Sequence, residues 1–449
     1  MLETVVVLFN RDLRTVDHPA LSEAVKDAHF VVPLFVIDEK IIRTTMERPN
    51  ALSFLLDALN DLRSSLISKG ADLIVRQGDP VKELIKLTTN INASGVYVTS
   101  DSTPYAKNRE QELAKECYKE NLEFKLFPGA TVVDTNAIYT SSTGTPYKIF
   151  TPYWKKWISY PRRSLASEVK SFSLPEKIQS GSIPSLGELT KLSVSPNIDK
   201  GGESIAHQQL DRYLQNIQDD NNLAYSSSRM SPYLHFGCIS PLTMISESID
   251  TSVHENITRQ LCWRDFYQQL VANIPEFITD DLRTRPYKWN DRKNLFIAWS
   301  EGMTGFPIID AGMRQLKLEG WIHNRIRLVV ASFLTKHLRM DWRLGAKHFS
   351  HWLVDVDVSS NVGNWQWIAG TGTDTRPNRI LNPILQSKKI DPSGNYIKKY
   401  VKELSVISSK NIHEPWKLSE RDLRGLQYPH RVIDHEVESQ NFRTLIRNK

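Results

Sequence analysis

The segment TVVVLFNRDLRTVDHPALSEAVKDAHFVVPLFVI (residues 4–37) decides the fold of the amino-terminal part of the chain. Two apolar runs, TVVVLF and FVVPLFVI, flank the stretch HPALSEAVKDA, which we interpret as a short helix that Asp17 can cap. Continuous apolar runs of this length are typical of strands that are buried on both faces of a parallel sheet. The segment therefore predicts a strand, a helix and a second strand.

The same alternation continues beyond residue 37. PNALSFLLDALNDLRSSLISKG has apolar residues at helical spacing and is closed by Gly70, and DLIVRQG and GVYVTS are two more predicted strands, each followed by a helical stretch. We therefore predict an α/β domain over residues 1–130, with a doubly wound, Rossmann-like parallel sheet whose ligands bind at the carboxyl ends of the strands. No G-x-G-x-x-G sequence follows the first strand, so an ordinary dinucleotide site is not supported there.

The pattern changes twice further along the chain. SFSLPEKIQSGSIPSLGELTKLSVSPNIDKGGES is rich in Ser, Pro and Gly, which predicts a long surface linker over residues 131–205. From residue 206 to residue 449, apolar residues recur every three to four positions and no convincing strand is found. The third segment is therefore predicted to be a separate all-helical domain.

Composition narrows the class of protein. The chain has 449 residues, of which 40% are hydrophobic and 24% charged, as in ordinary globular proteins. The absence of a long apolar run and of a secretory signal predicts a cytoplasmic protein without a membrane span. Three cysteines without a C-x-x-C pair favour a reducing compartment, and no familiar zinc spacing is found, so no metal site is predicted. The net charge of +6 is compatible with a polyanionic partner such as DNA.

Two polar motifs in the helical part can bind a ligand. AYSSSRMSPYLHFGCISP (224–241) combines a Ser cluster with Arg229 and with Ser231-Pro232, which we interpret as the N-cap and first residue of a helix. Such a motif can bind phosphate, or it can simply be a capped helix. LVDVDVSSN (353–361) places Asp355 and Asp357 in an apolar run, where a carboxylate needs a cation or hydrogen-bond donors, and Arg327 is a plausible partner. These groups either fix helix packing or hold a polar heterocycle.

Tryptophans form the second conspicuous group. QLCWRDFYQQL (260–270) places Gln260 and Trp263 on one helical face, and NWQWIAGTGTDTRP (364–377) places Trp365 two residues before Trp367. Packing in the core is the ordinary role of such residues, and stacking on a nucleobase is the alternative.

Taken together, these stretches resemble the photolyase/cryptochrome family, most closely the class I cyclobutane pyrimidine dimer photolyases. The resemblance covers nearly the whole chain and includes FNRDLRTVDHPAL, GTPYKIFTPYWKKW, IDPSGNYIKKYVKEL and HEPW in that order. It implies a light-driven DNA-repair enzyme that holds FAD in the helical domain and splits pyrimidine dimers by electron transfer to the flipped-out lesion. It also implies damaged DNA as the partner, a monomer, and an optional antenna chromophore of the folate or deazaflavin type in the α/β domain.

The resemblance further implies roles for individual residues. The FAD phosphates would be held by Ser227, Ser228, Arg229 and Ser231. The flavin and its ribose would be surrounded by Arg264, Asn324, Arg327, Asp355 and Asp357, with Asn361 at the reactive edge of the ring. Electrons would reach the flavin through Trp289, Trp342 and Trp365. The lesion would be contacted by Gln260, Trp263, Leu328 and Trp367, and DNA phosphates by Arg325 and Arg379.

Two positions depart from the usual class I pattern and leave alternatives open. Gln260 stands where many members have Glu, and Leu328 stands where Met is common, although Gln keeps a donor amide for a thymine carbonyl. A (6-4) photolyase also tends to have Gln there but uses a pair of His near the lesion, where this chain has Asn324 and Leu328 preceded by His323. A cryptochrome that signals without repair, and a DNA-binding protein without photochemistry, are the other two alternatives.

Overall fold

The computed structural model describes residues 1–45, 47–141, 143–215, 227–285 and 288–447. The chain forms two compact units. The first consists of Met1–Val194, Asp199–Asn216 and Ser228–Glu276, and the second of Ser195–Ile198, Ile217–Ser227 and Phe277–Lys449. The predicted domain boundaries at residues 130 and 205 stay a prediction, because compact units follow packing and need not coincide with folding domains.

A five-stranded parallel sheet forms the centre of the first unit, in the order β3-β2-β1-β4-β5. The strands are β1 Leu2–Phe9, β2 Ala28–Asp38, β3 Ile74–Gly78, β4 Gly95–Thr99 and β5 Glu123–Phe127. The central β1 is apolar and is buried on both faces, as a central strand of a parallel sheet requires. Its parallel pairing with β2 and β4 confirms the predicted parallel sheet. The sequence analysis did not predict β5, an edge strand of sequence EFKLF, because its charged residues interrupt the continuous apolar run that identifies the other strands.

Helices complete the first unit. They are α1 Pro19–Asp27, α2 Glu39–Thr45, α3 Pro49–Ser68, α4 Pro80–Asn90, α5 Pro104–Lys119, α6 Phe150–Ile158, α7 Leu186–Leu189, α8 Glu203–Gln215, α9 Ser231–Phe236, α10 Pro241–Ser248 and α11 His254–Asn273. Helices α1, α2, α4 and α5 pack against strands of the sheet. Gly70, at φ +94°, follows the end of α3 and donates its N–H to the Ile67 carbonyl, as predicted.

The predicted cap of α1 is wrong. His18 is the N-cap, and its Nδ1 accepts a hydrogen bond of 3.1 Å from the N–H of Leu21. Asp17 instead binds the guanidinium of Arg163 at 2.6 Å and accepts a bond from the hydroxyl of Ser240. A buried carboxylate gains more from a cation than from a helix N–H, and that cation lies 146 positions away in the sequence.

The segment predicted as a linker is neither uniformly irregular nor detached. It contains α6, α7 and the beginning of α8. Its backbone also pairs with the sheet, since the N–H of Val31 bonds to the Ser173 carbonyl at 3.0 Å and the N–H of Val75 bonds to the Ser180 carbonyl at 2.6 Å. Its role as an interdomain linker stays a prediction.

Helices also form the second unit. They are α12 Lys293–Glu301, α13 Pro307–Glu319, α14 Asn324–Ser332, α15 Trp342–Trp352, α16 Val358–Ala369, α17 Pro383–Ile390, α18 Asn395–Tyr400, α19 Glu420–Gly425 and α20 His435–Arg447, with a π-helical turn at Phe333–His337. Between residues 206 and 447, the described residues contain no strand, as predicted. Among the described helices, none combines the length and apolar character that crossing a bilayer requires.

A buried carboxylate on α11 binds donors from α6 and from the segment that follows β5 in the first unit. The Oδ2 atom of Asp265 accepts hydrogen bonds from the N–H groups of Val132 and Val133 at 3.0 and 3.1 Å and from the indole of Trp157 at 3.0 Å. Burial nevertheless raises the pKa of Asp265 from 3.8 to about 6, although Arg264 and these donors oppose the shift. The carboxyl group is therefore protonated more readily in the folded than in the unfolded chain.

This shift makes the stability of the protein depend on pH. Because the folded chain binds the Asp265 proton more tightly, the wild type should lose unfolding free energy relative to Asp265→Asn as the pH rises from about 4 to about 6. The measurement is urea unfolding of both proteins across this range, with the exposed Asp250→Asn as control. Parallel pH profiles for wild type and Asp265→Asn would contradict the assignment.

Candidate functional site

The second unit contains a cavity of about 70 Å³ between α14, α15, α16 and the loop before α16. Its polar lining residues are Asn324, Arg327, Asp355, Ser360, Asn361 and Asn364. Its apolar lining residues are Leu328, Ala331, Phe349, Leu353, Val356 and Trp365. The structure thus brings together six residues that the sequence analysis selected: Asn324, Arg327, Leu328, Asp355, Asn361 and Trp365.

An ion pair forms the charged part of the cavity wall. Nη2 of Arg327, on α14, bonds to Oδ2 of Asp355 at 2.7 Å, and Nε of Arg327 bonds to the Ile322 carbonyl at 2.7 Å. The side chain of Asp355 is only 2% exposed, so its charge needs this cation. The predicted pairing of Arg327 with a carboxylate of the apolar run is confirmed.

Asp357, the second carboxylate of the apolar run at residues 353–361, caps a helix and forms no part of the cavity wall. Asp357 is the N-cap of α16 and accepts a hydrogen bond of 2.9 Å from the N–H of Ser360. It does not line the cavity, but it fixes the start of the helix that does. One turn later, Asn361 donates its amide N–H to the Ala346 carbonyl at 3.1 Å and to Ser350 Oγ at 3.3 Å. Its amide oxygen is therefore the atom suited to accept a hydrogen bond from a ligand.

The two tryptophans of α16 lie on different faces of the helix. Residues two apart are about 200° apart around a helix axis, so Trp365 faces the cavity while Trp367 does not. Trp365 is 2% exposed and packs edge-on against Phe349 at 5.0 Å. Trp367 is half-buried, and the guanidinium of Arg379 lies 5.5 Å from its ring centroid. The two indoles therefore have different surroundings, as two separate functions would require.

Close approach explains how Trp365 fits beside α15. A Cβ atom at Gly345 would overlap the ring carbons of Trp365 and lie 2.7 Å from Cδ2 of Leu334. Only glycine therefore allows α15 to pass this close to the indole.

The other two tryptophans of the predicted relay lie elsewhere in the second unit. Trp342 is 1% exposed and donates its indole N–H to Asp281 Oδ1 at 2.9 Å, while Trp289 is half-buried. Their burial suits a path from the interior to the surface, and the relay stays a prediction. The sequence analysis did not single out Trp299, whose ring centroid is 6.2 Å from that of Trp365. Nothing in the local sequence distinguishes this buried residue from any other core tryptophan.

The start of α14 carries an exposed arginine and a capping histidine. Arg325 is exposed, as is Arg379, so both can reach a phosphate. His323 is the N-cap of α14, and its Nδ1 accepts a hydrogen bond of 3.1 Å from the N–H of Arg325. Burial, together with Arg325 and Arg327, lowers the pKa of His323 to about 4, so the imidazole is neutral at neutral pH.

The predicted phosphate-binding motif lies at α9 in the first unit, except Ser227, which belongs to the second. Ser231-Pro232 opens the helix, but Met230 is the N-cap and Ser231 the first helical residue, so the predicted cap is wrong by one position. Arg229, at φ +52°, bonds through Nε to Asp199 at 2.9 Å. Oγ of Ser228 accepts a hydrogen bond of 3.4 Å from the N–H of Met230.

The remaining predicted residues lie on α11 of the first unit. Arg264 donates to the Ala130 carbonyl at 2.5 Å, Gln260 is exposed, and Trp263 is half-buried. The ring of Trp263 stacks on that of Phe150 with centroids 3.6 Å apart and planes 4° apart. The sequence analysis missed Phe150, because a contact across 113 positions has no local signal.

The chemistry of the cavity suits a flat heterocycle with a polar edge. Amide, hydroxyl and guanidinium groups can bond to ring nitrogens and carbonyls, while Leu328, Phe349 and Val356 contact apolar ring faces. The isoalloxazine ring of FAD is such a group, so the residues present fit the cofactor. Among the described residues, no three His, Cys, Asp or Glu side chains are grouped so that they could hold a metal ion.

Comparison with known proteins agrees with this chemistry. Residues 257–448 match the family model "FAD binding domain of DNA photolyase", and residues 5–170 match the model "DNA photolyase". The chain is 38% identical to the deoxyribodipyrimidine photo-lyase of Streptomyces griseus, over 96% of this chain and 97% of that one. It is 34% identical to cryptochrome DASH of Danio rerio, over 94% of this chain and 88% of that one.

Solved structures give the same result. A class III photolyase from Agrobacterium tumefaciens superimposes with a TM-score of 0.91 at 30% identity, covering 100% of this chain and 98% of that one. An archaeal photolyase from Sulfolobus tokodaii, described with two FAD molecules, superimposes with a TM-score of 0.88 at 30% identity, covering 99% and 100% of the two chains.

The close approach at Gly345 leads to a prediction. In an unobstructed helix, Gly→Ala stabilises by about 0.5–1 kcal/mol, but Gly345→Ala should instead destabilise the protein by about 1–3 kcal/mol because it displaces Trp365. Urea unfolding measures this difference, and tryptophan fluorescence should change with it. Gly187→Ala, where a Cβ meets no atom within 4 Å, is the control. A stabilised Gly345→Ala variant would show that the indole does not lie against this glycine.

Proposed function

The chain belongs to the DNA photolyase family, and from this premise we propose that it is a light-driven lyase that uses FAD to split cyclobutane pyrimidine dimers in DNA. The observation that carries the proposal is the cavity in the second unit, which joins the Arg327–Asp355 ion pair, Asn361 and the buried indole of Trp365 around one space. The assignment to class I within the family stays a prediction.

Residues of the cavity would bind and orient the flavin. Arg327 and Asp355 offer donors and an acceptor that hold each other in place, so they lose little freedom when a ligand binds. The amide oxygen of Asn361 would accept a hydrogen bond from a ring N–H at the reactive edge. Leu328, Phe349 and Val356 would exclude water from the ring.

When bound, FAD supplies the light-driven transfer of one electron that opens the cyclobutane ring. The protein contributes placement and shielding, and no side chain needs to act as a nucleophile. We propose that Asp357 acts indirectly, by fixing the first turn of α16 and thereby the positions of Asn361 and Trp365. The proposed roles of Arg264, Asn324, Ser227, Ser228, Arg229 and Ser231 in binding the cofactor rest on the resemblance of their motifs.

We propose that Trp365, Trp342 and Trp289 deliver electrons to the flavin. Trp365 is suited to the first position because it lines the cavity. The half-buried Trp289 is suited to the last position, where a dissolved one-electron reductant would replace the electron donated and would itself be oxidised.

The substrate would be a dimer flipped out of the duplex, because a base inside the stack cannot reach an enclosed site. We propose that Trp263 and Trp367 stack on it, that Gln260 and Leu328 contact it, and that the exposed Arg325 and Arg379 bind phosphates. We expect the protein to act as a cytoplasmic monomer with access to DNA. A folate or deazaflavin antenna stays an expectation for the first unit.

The other family functions have less support. A (6-4) photolyase would use a pair of histidines, but Asn324 and Leu328 occupy the cavity wall, and the nearby His323 is neutral and engaged as a helix cap. Cryptochromes are among the relatives, but the relative with 38% identity is a photo-lyase, so a signalling function is not favoured.

Cofactor extraction combined with illumination tests the proposal. The purified protein should be yellow, release FAD on denaturation, and, once reduced, repair an oligonucleotide containing a thymine dimer under blue light. A dark incubation and an undamaged oligonucleotide are the controls. A colourless protein that takes up no flavin on refolding contradicts FAD binding, and a reduced holoprotein that leaves the dimers intact contradicts repair.

The electron relay gives a separate prediction. Trp365→Phe should slow photoreduction of the oxidised flavin, because it removes the electron donor that lines the cavity. The expected slowing is roughly tenfold or more, which corresponds to an increase of about 1.4 kcal/mol in the barrier. Repair by chemically reduced enzyme should be unchanged, because it needs no relay. Absorbance under steady illumination measures the rate, and Trp416→Phe, which alters a tryptophan packed on Phe306, is the control. Unchanged photoreduction would remove Trp365 from the relay.

Stacking on the lesion gives another prediction. Trp263→Ala should weaken binding of dimer-containing DNA by about 5- to 150-fold, since stacking of a base on an aromatic ring contributes about 1–3 kcal/mol. Binding of undamaged DNA should change much less. Fluorescence anisotropy with matched damaged and undamaged duplexes measures both affinities, and equal losses would rule out a stacking role.

A further inference from the structure

An aromatic stack joins α6 to α11 in the first unit. Phe150 lies face to face with Trp263 at 3.6 Å, and Trp154 continues the stack at 6.4 Å with planes 23° apart. Phe266 packs its edge against Phe150 at 5.8 Å and against Trp263 at 5.7 Å. The plane of the Trp263 indole is therefore set by a ring on one face and a second ring at right angles to it.

A cation lies over this stack. The guanidinium carbon of Arg259, on α11, is 5.4 Å from the Phe150 centroid and 5.5 Å from the Trp154 centroid. Among the described carboxylates, none forms an ion pair with Arg259, although Glu255 lies one turn earlier on the same helix. A cation–π contact orients a guanidinium without neutralising its charge, so its outward N–H groups can still bind an anion.

Helix α6 adds further positive charge next to this stack. Helix α6 exposes Lys155 and Lys156 beside Trp154, and its nine residues include no carboxylate. Basic side chains interleaved with aromatic rings are typical of surfaces that bind the backbone and the bases of a nucleic acid strand. Arg259 also precedes Trp263 by four residues, so the two side chains are neighbours on one face of α11.

We propose that Trp154, Lys155, Lys156 and Arg259, which together with Phe150 are named the α6–α11 face, bind the DNA strand that flanks the lesion. Arg259 binds a backbone phosphate, and Phe150 is a positioning residue that holds Trp263 in the plane of the base that stacks on it. This inference rests on the proposed function, because it takes damaged DNA as the partner. It adds a phosphate contact in the first unit and a residue that acts only through Trp263.

The geometry explains why Phe150 should affect recognition of the lesion. An indole that is free to rotate must be ordered before a base can stack on it, and this ordering weakens binding. A parallel ring at 3.6 Å removes that freedom in advance. Leucine keeps an apolar contact at this position but offers no flat face, so Phe150→Leu separates ring stacking from simple burial.

The first test concerns charge. Arg259→Gln should reduce the slope of log affinity against log salt concentration by about one, and should weaken damaged and undamaged DNA equally, because a phosphate contact carries no information about the lesion. Arg431→Gln is the matched control, since its guanidinium lies 4.6 Å from the Trp416 centroid in the second unit. An unchanged salt slope for Arg259→Gln would overturn the phosphate contact.

The second test is a double-mutant cycle between Phe150→Leu and Trp263→Ala. Phe150→Leu alone should lower the preference for dimer-containing DNA by about threefold or more, and it should add no further loss of preference in the Trp263→Ala background. Phe296→Leu, which loses a ring contact with Trp299 at 5.7 Å, is the control for the general loss of an aromatic pair. Additive losses, or an unchanged preference in a folded Phe150→Leu variant, would overturn the positioning role.

The two proposals fail in different ways. A wild-type holoprotein that shows no preference for dimer-containing DNA contradicts the proposed function itself. A wild type with clear preference, together with Arg259→Gln and Phe150→Leu variants that behave like their controls, contradicts only the role of the α6–α11 face. Thermal unfolding of each variant shows whether it is folded at the assay temperature.

Discussion

The ion pair between Arg327 and Asp355 is the interaction on which the cavity of the second unit depends. It joins the first turn of α14 to the loop before α16, and the cation offsets the cost of burying the carboxylate. Two residues after Asp355, Asp357 starts α16. The direction of that helix then brings Asn361 and Trp365 to the same space. The ion pair thus helps to position the Asn361 amide and the Trp365 indole, which line the same cavity.

A cavity of about 70 Å³ is unusual among closely packed helices, because protein interiors leave few voids larger than a water molecule. The lining residues help to keep it open, since hydrogen bonds within the wall hold the amide groups of Asn361 and Asn364 in place. The amide of Asn361 bonds to the backbone of α15, and that of Asn364 to the Ser360 carbonyl of its own helix. Gly345 lets α15 approach, so that Trp365 closes one side without filling the space. Such a wall is preorganised for a flat ligand.

The tryptophans of this chain have different surroundings, which residue type alone does not reveal. Trp365 lines the cavity, Trp342 donates to Asp281, Trp299 lies in the core and Trp263 is stacked on Phe150. All are large, apolar residues in helical sequence, and their spacing along the chain is compatible with core packing in every case. Only the neighbouring side chains separate a residue suited to electron transfer from one suited to base stacking or to support of the core.

The sequence by itself determined the local elements, because hydrophobic period and turn residues are encoded within a few positions. It gave four of the five strands, the end of α3 at Gly70 and the pairing of Arg327 with a nearby carboxylate run. The tertiary structure decided which groups meet across long separations. It assigned the cap of α1 to His18 because Arg163 binds Asp17, and it placed Phe150 on Trp263. Such choices depend on the balance of burial, charge and packing among residues distant in sequence, which no local pattern records.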